Sequence, residues 1–285
     1  MKAIENSGLQ TISNIIVESI STSSIYCFGE KKNIQAVQNP FQEFISAKKE
    51  HTHFYLMVLT DEYIINAVAD ISDIIKTKTE GRYTVTLFFY KAKYAHYLTP
   101  NQIYFYHQVL TKGYKVYERE NMPLSISFYG TPKRNIDSTR SYWKNRNKVA
   151  ETFLRSENQI DYMDTGFVQD SMMHIAVEQI CLGLINVFLG YYPDHFSMAY
   201  LFDICEIFTP LTSDVFPRTT SEDKRLFELL KTNPSSLRWA NIKESCLIDT
   251  ELLDKRCSLF HERACSIVEA ELERLENLEP KKQKS

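Results

Sequence analysis

The chain has 285 residues, 44% hydrophobic and 24% charged, a mixture that supports buried cores and excludes an intrinsically disordered polypeptide. At roughly 150 residues per domain, two domains are expected. The low counts of 8 glycines and 9 prolines disfavour a turn-dense all-β sandwich, and 33 Lys+Arg against 36 Asp+Glu, a formal charge of -3, exclude a global positive field for nucleic acid.

The first 16 residues lack the basic region, apolar run and small-residue cleavage site of an exported protein, so a cytoplasmic protein is expected. Runs rich in β-branched and aromatic residues at 24–28, 54–59 and 83–90 predict strands. Helical spacing predicts helices over 40–48 and 62–78, the second carrying Ile64, Ile65, Val68, Ile71 and Ile74 at three- and four-residue steps. A further helix is predicted over 100–112, with Pro100 in its first turn and Gly113 at its end, and 114–117 returns as an edge strand. This alternation predicts a small mixed α/β domain over residues 1–125.

Glycine and proline punctuate 123–138 and helical spacing stops there, which puts the domain boundary in that stretch. Beyond it, helices are predicted over 140–161, 166–190, 197–208, 221–231 and 249–275, giving an all-α helical bundle over 139–278. Thr220 with Asp223 approximates a capping box, and Asp249 reads as the cap of the last helix. The longest apolar stretch, 180–192, has 13 residues and contains Asn186, short of the roughly 20 needed to cross a bilayer, so no membrane partner is expected. Residues 279–285 form a charged tail with nothing to bury. Cys27, Cys181, Cys205, Cys246, Cys257 and Cys265 include no CxxC pair, so neither disulfides nor a metal site nor any cofactor is expected.

The helical half carries His174, Ala176 and Glu178 as a His-x-Ala-x-Glu stretch, then Leu189-Gly190-Tyr191 with Pro193 beyond, Phe216-Pro217 leading into a helix, and Arg238-Trp239. In these features it resembles a HEPN domain of the kind fused behind a minimal nucleotidyltransferase. Arg238-Trp239 takes the place of an Arg-Tyr pair in that family, and His195 stands one position before the family's histidine, where Phe196 is found. The first half resembles the transferase partner, with Ser24 to Gly29 like the strand preceding a Gly-Ser turn, and Tyr104-Phe105 and Gly113 ahead of a strand containing Tyr117. The resemblance implies a nucleotidyltransferase-like mixed sheet followed by a HEPN-type bundle. It also implies a homodimer formed through the bundle, and roles in defence, toxin–antitoxin systems or RNA regulation.

In that family the turn's amides and a serine hydroxyl hold nucleotide phosphates, since oriented N–H groups present partial positive charge. Here Gly29 is kept and Glu30 replaces the serine. Nucleotidyl transfer also needs two carboxylates alternating on a strand, because a period of two puts both on one face around Mg²⁺. His53 and Tyr55 fall at those positions, and neither is a good hard-oxygen ligand. Gly29, Glu30, His53 and Tyr55 therefore mark a degenerate transferase site, and Asp61 and Glu62 lie just past the strand end, where they would aim elsewhere. HEPN endoribonucleases resemble one another in an Arg, a spacer of about four to six residues and a His, which serve as charge stabiliser and proton-transfer group. No His follows Arg238 over 239–245. Arg256 and His261 have the spacing, but five residues of helix turn through about 500° and leave their side chains roughly 140° apart.

Several features read two ways. His174 and Glu178, one helical turn apart, suit a phosphate or ribose contact in a dimer cleft, or a polar pair that fixes helix register. Arg238-Trp239 offers a cation and a stacking plane for a nucleobase, or a structural Trp beside a surface Arg. Lys133, Arg134, Arg140, Lys144, Arg146 and Lys148 form a phosphate-attracting patch or a solvated face. Tyr90, Tyr94, Tyr97, Tyr104 and Tyr106 line a stacking cleft or pack a core. The expected function is nucleotide or RNA binding, at His174, Glu178, Arg238 and Trp239, by a protein whose transferase half is degenerate. The alternatives are a metal-independent endoribonuclease using Arg256 and His261, and a structural dimer that docks another protein.

Overall fold

A computed structural model describes residues 7–37, 46–61, 67–91, 98–120, 130, 132–157, 159–160, 162–232, 234–235 and 247–278. The chain divides into two compact units, Met1–Lys133 and Arg134–Ser285. A small mixed sheet with helices makes up the first, and the second is mostly helical.

The first unit opens with α1 (Ser7–Ser19), which the sequence reading left unassigned. Its Leu9, Ile12, Ile15 and Ile16 recur at helical spacing and are buried. β1 (Thr22–Val37) and β2 (Ser46–Thr60) then form one long antiparallel ribbon, paired from Thr22↔Thr60 to Val37↔Ser46. Both outrun the short apolar strands expected from sequence, because the outer ladder is held by backbone pairing and carries no hydrophobic alternation. The helix expected over 40–48 is corrected at its end, since Ser46, Ala47 and Lys48 lie in β2; residues 40–45 are outside the described residues.

α2 (Ala67–Lys78) makes the crossover to β3 (Tyr83–Lys91), which runs parallel to β2. Ala67, Ile71 and Ile75 face the core, while Ile74, expected on the buried stripe, is 37% exposed. α3 (Pro100–Lys112) has the predicted bounds, with Thr99 and Gln102 forming a reciprocal capping box. Gly113 follows with extended φ of -72°, so its role is not left-handed backbone. A Cβ there would stand 2.5 Å from the Val109 carbonyl oxygen and 3.2 Å from that of Cys27, so close approach demands glycine. β4 (Tyr114–Glu118) closes the sheet on the far side of β1, giving the order β3-β2-β1-β4. One face of the sheet packs Ile25, Cys27, Phe54, Leu56, Val58, Val85 and Leu87 against the apolar stripes of α1 and α2. The other face gathers Phe28, Phe88 and Phe105, with ring centroids 5.1–6.0 Å apart, and Tyr90 with its ring centroid 4.1 Å from that of Tyr106, the two rings tilted by 34°. Tyr90 and Tyr106 are thus core residues; Tyr94 and Tyr97 lie outside the described residues.

The second unit comprises α4 (Ile136–Glu157), α5 (Tyr162–Leu189), α6 (Met198–Cys205), the short α7 (Leu211–Val215), α8 (Ser221–Leu230) and α9 (Leu247–Leu278). α5 packs against α4 and α9 as the central helix, and Ile180 to Val187 are buried on every side. That enclosure accounts for the hydropathy of Phe167–Leu189, which has the length and mean hydropathy of a membrane span but has 67% of its apolar window buried. Arg134 closes the C-terminal end of α5. Its guanidinium donates to the Val187 and Asn186 carbonyls at 2.6 and 2.7 Å, and Gly190 turns away in the left-handed region at φ 71°. Phe202, Phe216, Phe227 and Phe260 form an aromatic centre with neighbouring centroids 5.4–6.0 Å apart. The Thr220–Asp223 capping box is present. Asp249 is not the cap residue expected, because α9 starts two residues earlier; its carboxylate instead receives Arg225 at 2.6 and 2.7 Å.

Candidate functional site

The strand period sets His51, His53 and Tyr55 on one face of β2, and the parallel register of β3 brings Thr84 opposite His53 and Thr86 opposite Tyr55. His53 uses both ring nitrogens here, Nδ1 with Thr84 Oγ1 at 2.7 Å and Nε2 with Thr86 Oγ1 at 2.9 Å. His51 Nε2 reaches the same Thr84 hydroxyl at 3.0 Å, and burial lowers its pKa. Tyr55, only 5% exposed, meets the His53 ring edge-on at 4.9 Å and packs near Phe28. Two imidazoles and two hydroxyls thus form a hydrogen-bonded chain, His51–Thr84–His53–Thr86, at the margin of the aromatic face.

Gly29 and Glu30, expected at a phosphate-holding turn, lie within β1, paired with Tyr55 and Phe54. The strand runs on into the long ribbon, so the backbone amides serve the sheet ladder instead of a cradle. A register shift between Cys27 and Gly29 marks the position, and a Cβ on Gly29 would stand 3.0 Å from the Tyr55 ring. Glu30 pairs with Lys32 at 3.4 Å. These residues do not fit a Mg²⁺-binding transferase platform: an engaged imidazole and a buried phenol stand where acids are required.

Asp61 does not supply the missing carboxylate. Its Oδ1 receives the Ser23 hydroxyl at 2.8 Å, and its Oδ2 receives the Ser21 hydroxyl at 3.0 Å and Arg119 Nη1 at 2.8 Å. The carboxylate thereby ties the end of β2 to the start of β1 and the exit of β4. The Ser23 hydrogen bond, with those from Arg119 and Ser21, holds its pKa below the usual carboxylate value. A depressed folded pKa stabilises above the unfolded value and is lost as pH falls. Asp61→Ala is expected to cost about 1 kcal/mol at neutral pH, less in acid, by urea denaturation of the wild type and variant. Glu62 is outside the described residues.

In the helical unit, His174 is 3% exposed, and its Nδ1 bonds the carbonyl of Leu230, the last residue of α8, at 2.8 Å. Its Nε2 stands 3.7 Å from Glu178, whose neighbour Gln179 accepts from Arg146 at 2.6 Å. The ring thus joins α5 to the end of α8. Arg238 and Trp239 lie outside the described residues. Arg256 and His261 are turned to different helices, Arg256 to Asp223 of α8 at 2.7 Å and His261 to Asn147 of α4 at 2.7 Å. The Thr220 backbone and then Arg256 hold the Asp223 carboxyl far below its ordinary pKa. His195 Nε2 pairs with the Ser197 hydroxyl, the cap of α6, at 3.0 Å, and burial lowers its pKa. Of the basic cluster, Arg134 caps α5, Arg140 pairs with Glu276, and Arg146 also covers the Tyr142 ring at 4.8 Å; Lys144 and Lys148 are exposed.

Two polar clusters were not singled out from sequence. Glu157 of α4, Asp170 of α5 and Asp254 of α9 lie near one another inside the unit, with Thr250 donating to Asp170 at 3.2 Å. Burial, with the charges of Asp254 and Asp170, pushes the Glu157 pKa up to about 7. Asp170 in the apolar α5 segment was the available signal. At the α4–α9 contact, Asn147 Oδ1 faces both His261 Nε2 and Cys265 Sγ, at 2.7 and 3.4 Å. Among the described residues no group of three or more His, Cys, Asp or Glu could hold a metal ion. No family model matches the chain, and no curated protein matches it.

Proposed function

We propose that this protein is a nucleotide- or RNA-binding regulator in which a nucleotidyltransferase-like unit, without the transferase's metal platform, precedes a HEPN-like helical bundle. One observation carries the reading. The β2 face, where a transferase needs paired acids, is occupied by His53 and Tyr55, bound to Thr84, Thr86 and their aromatic neighbours. A ligand held by such a protein needs no divalent ion to bridge a triphosphate to an acceptor. Within the bundle, His174 serves the α5–α8 junction, so RNA contact falls to Arg238 and Trp239 and to the exposed Lys144 and Lys148. The bundle pairs with a second copy, and the nuclease reading loses ground because Arg256 and His261 engage opposite neighbours.

The test is equilibrium binding of ATP and of a single-stranded RNA to the full chain, with and without Mg²⁺, beside an assay for label transfer from α-labelled ATP. Mg²⁺-independent binding without transfer is expected, and Arg238→Ala with Trp239→Ala is expected to weaken RNA binding by about tenfold or more. His174→Ala should leave RNA affinity unchanged while lowering stability by about 1–2 kcal/mol. Label transfer that requires Mg²⁺, or RNA cleavage abolished by His261→Ala, would overturn the reading.

A further inference from the structure

We propose that the face of the β1–β2 ribbon carrying Lys31, Lys49, His51 and His53 binds the phosphate chain of a single-stranded RNA. The inference rests on the reading of this protein as a nucleotide- or RNA-binding regulator, and it gives the sheet unit a contact of its own in addition to the one assigned to the bundle. Strand pairing sets where the ribbon stands open. β4 accompanies β1 only from Ser24 to Cys27, and β3 accompanies β2 only from Thr52 to Thr60. Among the described residues, 29–35 of β1 and 49–51 of β2 therefore have a neighbouring strand on one side only.

Between the irregularities at Cys27/Gly29 and Gln35/Val37 the ladder is unbroken, so residues directly opposite share a face and the face alternates at every step. Lys31 stands opposite His53, Asn33 opposite His51 and Gln35 opposite Lys49, all on one face, and none of these positions holds an acid. The acids fall on the other face, where Glu30 stands opposite Phe54 and Glu50 opposite Ile34. Lys32, on that second face, is already drawn to Glu30 at 3.4 Å. Lysines and glutamates mixed on both faces would make only a solvated surface. Here Lys31 and Lys49 are separated from both glutamates of the two strands, which leaves one face cationic and polar, the complement of a polyanion.

The dimensions suit an extended strand of nucleotides. Lys31 and Lys49 are offset by four residues along the ribbon and by one strand across it, which places their backbones about 14 Å apart, a span of a few nucleotides. His51 and His53 lie between them, half-buried, with Thr84 bonded to one nitrogen of each ring and Thr86 to the second nitrogen of His53. Both imidazoles are thereby fixed before a ligand arrives, so little side-chain entropy is lost on binding. Lys31 is exposed, and a phosphate reaches it from solvent. Asn33 and Gln35 add residue types that donate and accept hydrogen bonds without charge, as exposed base edges require. A bilayer surface would ask for apolar residues among the lysines, and this stretch of the face has none.

The experiment uses the full chain and a fluorescent single-stranded RNA of mixed sequence, titrated at several salt concentrations. Lys31→Ala with Lys49→Ala is expected to weaken binding by about tenfold or more and to flatten the slope of log affinity against log salt by about 1.4, the value for two phosphate contacts on a single strand. Lys32→Ala, on the opposite face, should change neither quantity. Acetylation of lysines in the wild type, mapped by mass spectrometry, gives a readout that needs no variant: RNA should protect Lys31 and Lys49 and leave Lys32 reactive. If the wild type binds RNA but the double variant keeps its affinity and salt slope, or Lys32→Ala loses as much, or the two lysines go unprotected, this surface is overturned while the RNA-binding reading stands. The lysines are then guards of an open strand edge. A wild type that binds neither RNA nor ATP overturns both. Protection by an oligoglutamate peptide but not by RNA overturns the proposal in favour of an acidic protein partner.

Discussion

Gly183→Leu is expected to lower the stability of the helical unit by about 3 kcal/mol, read as a fall in the urea midpoint. Gly183 lies in the middle of α5, where intrinsic propensity alone favours its replacement. The structure reverses that preference, because the Trp143 ring of α4 lies directly over the glycine. A Cβ at this position would stand 2.5 Å from Trp143 Cε3 and 2.8 Å from Cζ3, with Arg146 Cβ at 3.5 Å. Trp143 is 6% exposed and cannot swing aside without emptying its own pocket. Adding Trp143→Ala should recover part of the loss, since the space vacated by the indole accepts the leucine. A leucine variant as stable as the wild type would show that α4 and α5 do not need this close approach.

Glu157→Gln is expected to raise stability at pH 8 by about 2 kcal/mol and to flatten its dependence on pH. Glu157 Oε2 is buried without a hydrogen-bond partner among the described residues, and it faces the carboxylates of Asp170 and Asp254. Its pKa rises from 4.5 to about 7, so between those values the folded chain holds a proton that the unfolded chain has released. Stability contributed by this group is therefore full below pH 4.5, declines through the interval, and is lowest above pH 7. Asp254, also raised by burial, bends the curve the same way, and Thr250 supplies the hydroxyl donor to Asp170. An amide at 157 carries no charge to repel its neighbours. Denaturation at pH 5 and pH 8 separates the outcomes, and equal pH dependence in the two proteins would show that water reaches the carboxylate. Asp61 in the sheet unit acts with the opposite sign, losing its contribution in acid.

What could be read from the sequence follows what each signal encodes. The α3 bounds were legible because Pro100 and Gly113 mark its two ends chemically. The inner strands were legible through their apolar runs. The outer ribbon was not, because residues such as Lys31 and Lys49 become strand only by pairing with each other's chain, a long-range condition without a local mark. The same limit governs the sites. The chemistry of His53 and Tyr55 followed from a period of two, but their closure by Thr84 and Thr86 depended on the register of a strand about thirty residues away. The divergence of Arg256 and His261 was foreseeable from helical geometry alone. The Asn147–His261–Cys265 contact was not, since it joins residues more than a hundred positions apart.

Arg134 has a practical bearing on how the helical half can be obtained by itself. It precedes α4 by two residues and belongs to no helix, yet its guanidinium answers the terminal carbonyls of α5. A fragment cloned from residue 139, where helical periodicity begins to read clearly, discards that clasp and leaves the longest apolar rod in the molecule frayed at one end. The start codon belongs upstream of Arg134.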